Sequence, residues 1–173
     1  MATKKKTDDK KSATNPTQTT TATANESSNQ TFTETGYSVE THAVIVDGKA
    51  AKLSTKKRGF VTFTLATCID SGELELRLTG NDGGTGLHSK EWLSVAEIVE
   101  VLNFQVIDKP FKSTVFKSVF KGASANNASF LAAVLRSKDI NLIVSTEKSQ
   151  YLHMIPSNYE SIRDQLLAKS SAK

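Results

Sequence analysis

A single cysteine, Cys68, stands among 173 residues, so neither an intramolecular disulfide nor a thiolate cluster can form, and a reducing, cytoplasmic setting is expected. No apolar run is long enough for a membrane helix. Lys4, Lys5 and Lys6 have no apolar stretch behind them, so neither a signal peptide nor contact with a membrane is expected. The sequons at Asn25, Asn29 and Asn127 then read as accidents of a polar composition.

Other absences concern chemistry. The three histidines, His42, His88 and His153, show neither His-x-x-x-His nor His-x-His spacing, and a zinc site would have to be assembled from distant segments. The glycine-dense run from Gly80 to Gly86 lacks the Gly-Lys-Ser/Thr of a phosphate-binding loop and the Gly-x-Gly-x-x-Gly of a dinucleotide loop. It reads as a strand connection. Cys68 follows a run of apolar and β-branched residues and reads as a small buried hydrophobe, because a nucleophile would need a base beside it that the sequence does not show. Asp70, Glu73 and Glu75 surround a turn and read as solvated charge. We therefore expect no catalytic residue, no metal and no cofactor.

What is present divides in two. Residues 1–35 are Thr, Ser, Asn, Gln, Ala and Lys with almost no large apolar side chain, and they cannot bury enough surface to offset ordering entropy. A disordered tail is expected there. Residues 36–173 are expected to form one α+β domain, an antiparallel sheet with three or four packed helices. Strands are expected over 37–46, 59–67 and 73–78, with turns at Asp47-Gly48 and Asp70-Ser71-Gly72.

Beyond the glycine-rich loop the period becomes helical. Ser94 and Glu97 have capping-box spacing, which predicts a helix over 95–102 with Ile98, Val99 and Leu102 on one face. Val115, Phe116, Val119 and Phe120 predict a second helix ending at Gly122, and Phe130, Leu131, Val134 and Leu135 a third, capped from the 126–129 run. A hairpin around Glu147-Lys148 and a last helix opening at Ser157, with Glu160 as its capping partner, complete the order. His153 falls in the hairpin and is expected to be solvent-facing or hydrogen-bonded.

The formal charge is +4 with a pI near 9.1, which favours polyanions. Lys49, Lys52, Lys56, Lys57 and Arg58 lead without an intervening acid into Phe60 and Phe63, and Lys109, Phe111, Lys112, Phe116, Lys117, Phe120 and Lys121 alternate later. Single strands are held by this pairing, since cations follow phosphates while rings stack on bases at about 1–3 kcal/mol each. The later aromatics also fit a core-facing helical stripe, which would leave only Lys117 and Lys121 outside. The expected contact residues are Lys52, Lys56, Lys57, Arg58, Phe60, Lys117 and Lys121.

Val44-Ile45-Val46-Asp47-Gly48, a basic spacer, and Phe63-Thr64-Leu65-Ala66-Thr67 together resemble the opening strands of bacterial single-stranded-DNA-binding proteins of the OB-fold type. The resemblance is confined to residues 44–67. Trp92 to Leu102 looks like the first helix of an excisionase-type helix-turn-helix, with Thr114-Val115-Phe116 where the recognition helix would open. Both resemblances imply nucleic acid as partner, on different folds. The leading expectation is a non-enzymatic binder of single-stranded DNA or RNA. The alternative is a protein-interaction or regulatory module that docks a partner, or a second copy of itself as a homo-oligomer, through the Phe111 to Phe120 stripe.

Overall fold

Alternation of side chains makes the central strands, and a computed structural model describes them as part of residues 30–32, 38–54, 58–82, 86–122 and 124–170. The expected tail falls mostly outside those residues. Its described residues form a strand rather than disorder: β1 (Gln30–Phe32) pairs antiparallel with β2 (Ser38–Glu40), which lies beyond the tail. The main sheet has four antiparallel strands in sequence order: β3 (His42–Ala51), β4 (Phe60–Cys68), β5 (Leu74–Asn81) and β6 (Trp92–Ser94).

Val61, Phe63 and Leu65 on β4, with Leu74, Leu76 and Leu78 on β5, are buried on one face of this sheet, as period-two alternation requires. Two helices cover that face. Helix α1 (Val95–Asn103) packs on β5 and β6, and α2 (Asn127–Leu135) on β3 and β4. Ser94 Oγ accepts the Glu97 amide at 3.4 Å, so the predicted cap does open α1. Ile98, Val99 and Leu102 are buried beneath it.

A short second sheet lies beside this body: β7 (Phe111–Lys112), β8 (Val144–Ser145) and β9 (Leu152–Met154), in the order β7-β9-β8. A 3-10 helix (Ser113–Val119) follows β7. Helix α3 (Tyr159–Leu167) closes the domain, its Tyr159 hydroxyl donating to Asn103 Oδ1 at 3.2 Å. The fold is α+β, with three α-helices among the described residues.

Several local expectations need correction. No turn forms at Asp47-Gly48, because β3 runs straight through to Ala51. A Cβ on Gly48 would stand 2.3 Å from Cζ of Phe63, so this glycine leaves room for the ring from the facing strand. The chain reverses only beyond Ala51. Just ahead of β4, Gly59 has a φ of +143°, and a Cβ there would meet the Asp82 carbonyl oxygen at 2.5 Å. The helix predicted over 115–122 is the 3-10 helix, and the last helix starts at Tyr159 behind Asn158 with no side-chain cap, not from Ser157. The 126–129 run supplies Asn126 as N-cap of α2, again without a side-chain cap.

The helix-turn-helix arrangement is not formed. Strand β7 intervenes between α1 and the 3-10 helix, and Phe116 there is fully buried. Phe111 and Val119 are buried with it, so the stripe proposed for docking is core. His153 is also buried, and neither ring nitrogen has a hydrogen-bond partner among the described residues. Burial, and then the positive charge of Arg136, push its pKa down to about 4.

Candidate functional site

The sheet face turned away from α1 and α2 carries the side chains that register places opposite the core set. Cross-strand pairing aligns His42 with Cys68, Val44 with Ala66, Asp47 with Thr64, Lys49 with Thr62 and Ala51 with Phe60. Glu75, Arg77 and Thr79 of β5 and Trp92 of β6 extend it. This face has two unlike ends, separated along β4 by roughly 26 Å at the usual strand rise.

At the hairpin end, Phe60 is 47% exposed. Its cross-strand neighbour is Ala51, too small to cover a ring. Lys49 and Arg58 are exposed, one diagonal to Phe60 and the other two residues before it. Thr79 Oγ1 donates to Thr62 Oγ1 at 3.0 Å, which makes this part of the face polar. Two acids lie close by: the exposed Asp82, whose amide donates to the Phe60 carbonyl at 2.9 Å, and Asp47, which accepts the Thr64 hydroxyl at 2.5 Å.

At the other end the face is roofed by its own side chains. The His42 ring stacks on Trp92, centroids 3.9 Å apart and planes 10° apart, and the Arg77 guanidinium lies 5.5 Å from the Trp92 ring. In a flat sheet, β3 and β6 would be roughly 14 Å apart. Curling brings the rings together. A bulge between Val44 and Val46 and another between Thr62 and Phe63 supply extra twist, and Ala66 is small enough to let side chains cross β4 above it. Ala66 and Thr64 are buried in consequence, although they lie on the outward side.

Under this roof the His42 Nε2 approaches Glu75 Oε2 at 2.6 Å, and Nδ1 lies 2.8 Å from the Thr41 hydroxyl. A ring nitrogen of His42, the Cys68 sulfur and a Glu75 oxygen all lie within 4.8 Å of one another. Hydrogen bonding from the Ser71 side chain, and then from the Ser71 and Asp70 backbone, holds the Cys68 thiol below its ordinary pKa against opposition from burial and the Glu75 charge. Cys68 also lines a groove of about 470 Å³ with Asp70, Ser71 and Gly72. Glu75 is thus half-buried and engaged, and Cys68 has a histidine beside it, both against the expectation from sequence.

The predicted contact residues do not gather in one place. Arg58 and Phe60 share the hairpin end. Lys52 reaches the opposite side of the sheet, where Nζ donates to the Asp82 carbonyl and stands 6.0 Å from the Phe130 ring of α2. Lys56 and Lys57 lie outside the described residues. Lys117 and Lys121 are exposed in the helical layer, beside a groove of about 380 Å³ at the start of α2. That second cluster already holds an anion, for Glu91 accepts the Lys121 amide at 3.1 Å and the Gly122 amide at 3.4 Å. Burial opposes ionisation of Glu91, but bonds from Ser89, Lys121 and Gly122 outweigh it and hold its pKa below the usual value.

No protein-family model matches this chain, and no match was found among curated proteins or solved structures.

Proposed function

We propose that the chain binds single-stranded nucleic acid, without catalysing a reaction on it, at the hairpin end of the outward sheet face. Phe60 stacks on a base while Arg58 and Lys49 take the flanking phosphates. The observation that carries this reading is an aromatic ring 47% exposed on a strand, set beside a residue too small to cover it and between exposed cations. Burying a ring is worth a few kcal/mol, so a strand phenylalanine left open is an unused stacking surface.

Contact of this kind is electrostatic in origin and must weaken with salt. Two neutralised phosphates correspond to a slope of about −1.4 in log K against log salt for a single strand. Fluorescence anisotropy of labelled oligothymidine and oligouridine, titrated with the full chain over a range of salt, tests it. Binding that rises at low salt supports the reading, and no binding at any ionic strength removes it.

A second reading has its own observation. Phe104, Val106 and Ile107, just past α1, are 78%, 56% and 64% exposed, which makes this loop, rather than the buried Phe111 to Phe120 stripe, the apolar surface open to a second copy of the chain. Light scattering of the wild type against Phe104→Asp distinguishes the two, because only self-association is sensitive to that change.

A further inference from the structure

We propose that His42, Cys68 and Glu75 form a three-ligand site for a borderline divalent cation of the zinc type, with one coordination position left for water or another small ligand. This inference stands apart from nucleic-acid binding and uses the other end of the face.

Three features of the geometry support it. The donors are an imidazole, a thiol and a carboxylate, the set that suits zinc, and their ligating atoms lie within 4.8 Å of one another. They are brought together by the sheet itself: His42 and Cys68 are direct cross-strand partners, and Glu75 pairs with Ala66, whose methyl leaves the space above β4 open. The imidazole is already oriented, by Trp92 stacked on its face and Thr41 bonded to Nδ1. An outer partner on the second ring nitrogen is what metal-binding histidines ordinarily have.

The charges close as well. A divalent ion with a Cys68 thiolate and a Glu75 carboxylate is neutral, which matters under a roof of side chains where an uncompensated charge would be costly. Binding replaces the Nε2 to Glu75 hydrogen bond. The ring proton is exchanged through solvent from Nε2 to Nδ1, where it is donated to the Thr41 oxygen, the ion takes the Nε2 lone pair so freed, and the thiol proton leaves to solvent. Among catalytic and structural zinc sites, three protein ligands mark the kind that keeps an open position. The groove of about 470 Å³ beside Cys68 gives that position a route to solvent.

The test is titration of the full, reduced chain with Co2+, read by absorbance. A thiolate-to-cobalt charge-transfer band in the near ultraviolet, saturating at one ion per chain and displaced by Zn2+, is expected. Cys68→Ser should abolish the band. Glu75→Gln should keep the band and weaken Co2+ binding by more than the about 10–100-fold that loss of an outer partner costs. Thr41→Val should weaken it by about tenfold. Circular dichroism of each variant shows whether the fold is intact. Absence of the band in the wild type overturns the proposal. So does a band lost in Cys68→Ser but indifferent to Glu75→Gln in a folded protein, since that is a lone thiol binding cobalt adventitiously.

Discussion

The two ends of the outward sheet face are built from the same strands and do opposite things with their aromatic residues. At the hairpin end Phe60 has Ala51 beside it on β3 and Asp82 on the β5 side, and its ring stays half open near Lys49 and Arg58. At the far end Trp92 stacks on His42 from across the sheet, and His42 in turn holds the carboxylate of Glu75. The difference lies in the neighbours. A ring with a partner in reach becomes roof and contributes to stability, whereas a ring without one becomes a surface for something else. The open end should therefore be sensitive in binding and indifferent in stability, and the roofed end the reverse.

Removing the roof should have the largest effect. Trp92→Ala is expected to cost about 3 kcal/mol of unfolding free energy, the low end for a large aromatic because Trp92 is only half-buried. Urea unfolding measures it, and a loss below about 1 kcal/mol would dissolve the contrast between the ends.

A comparable effect, in neither end, provides a control. His153 is held neutral in the body of the domain with its pKa near 4, against about 6.5 when unfolded. Between these values the unfolded chain binds the proton and the folded one does not. Stability is therefore full above about pH 6.5 and declines as the pH falls toward 4, by up to about 3 kcal/mol. His153→Leu should flatten that acid-side decline and leave oligonucleotide binding at neutral pH unchanged.

Phe60→Ala comes next, with an expected loss of about 1–3 kcal/mol in binding to a single strand and a melting temperature within a degree or two of wild type. Stability that falls as far as binding would show the ring to be core after all. Arg58→Gln should act on the salt dependence, reducing the slope by about 0.7 because one phosphate fewer is neutralised. Smallest of all is Lys121→Gln. Glu91 lies against the Lys121 backbone amide, so this cluster carries its own anion, and affinity should change by less than about 0.5 kcal/mol.

Much of the fold was legible in the sequence because it rests on periodicity. The buried alternation of Val61, Phe63 and Leu65, the Ser94 cap and the apolar face of Ile98, Val99 and Leu102 are local patterns, and local patterns survive folding. The errors came where a residue serves a distant one. Gly48 looked like a turn but makes room for Phe63, whereas Phe111 and Phe116 join the core as their helical spacing allowed, which removes them only from the alternative docking face. Register was the missing information for the face itself. His42, Cys68 and Glu75 come from three strands, with His42 and Glu75 separated by 33 positions, and no spacing rule reaches that far. Bulges added a second obstacle, since a slip of one residue moves a side chain to the other face. Lys52 needs no bulge: one place past the outward Ala51, it falls by plain alternation on the helical side and reaches Phe130, although it stands in the same basic run as Arg58.

The most direct test is a map of backbone amide shifts as a short oligothymidine is added at low salt. Perturbations concentrated at Lys49 to Ala51 and Arg58 to Thr62, with Lys117 to Gly122 silent, are what the open-ring account predicts. Shifts clustered around the start of α2 instead, or none while Phe60 remains exposed, would contradict it.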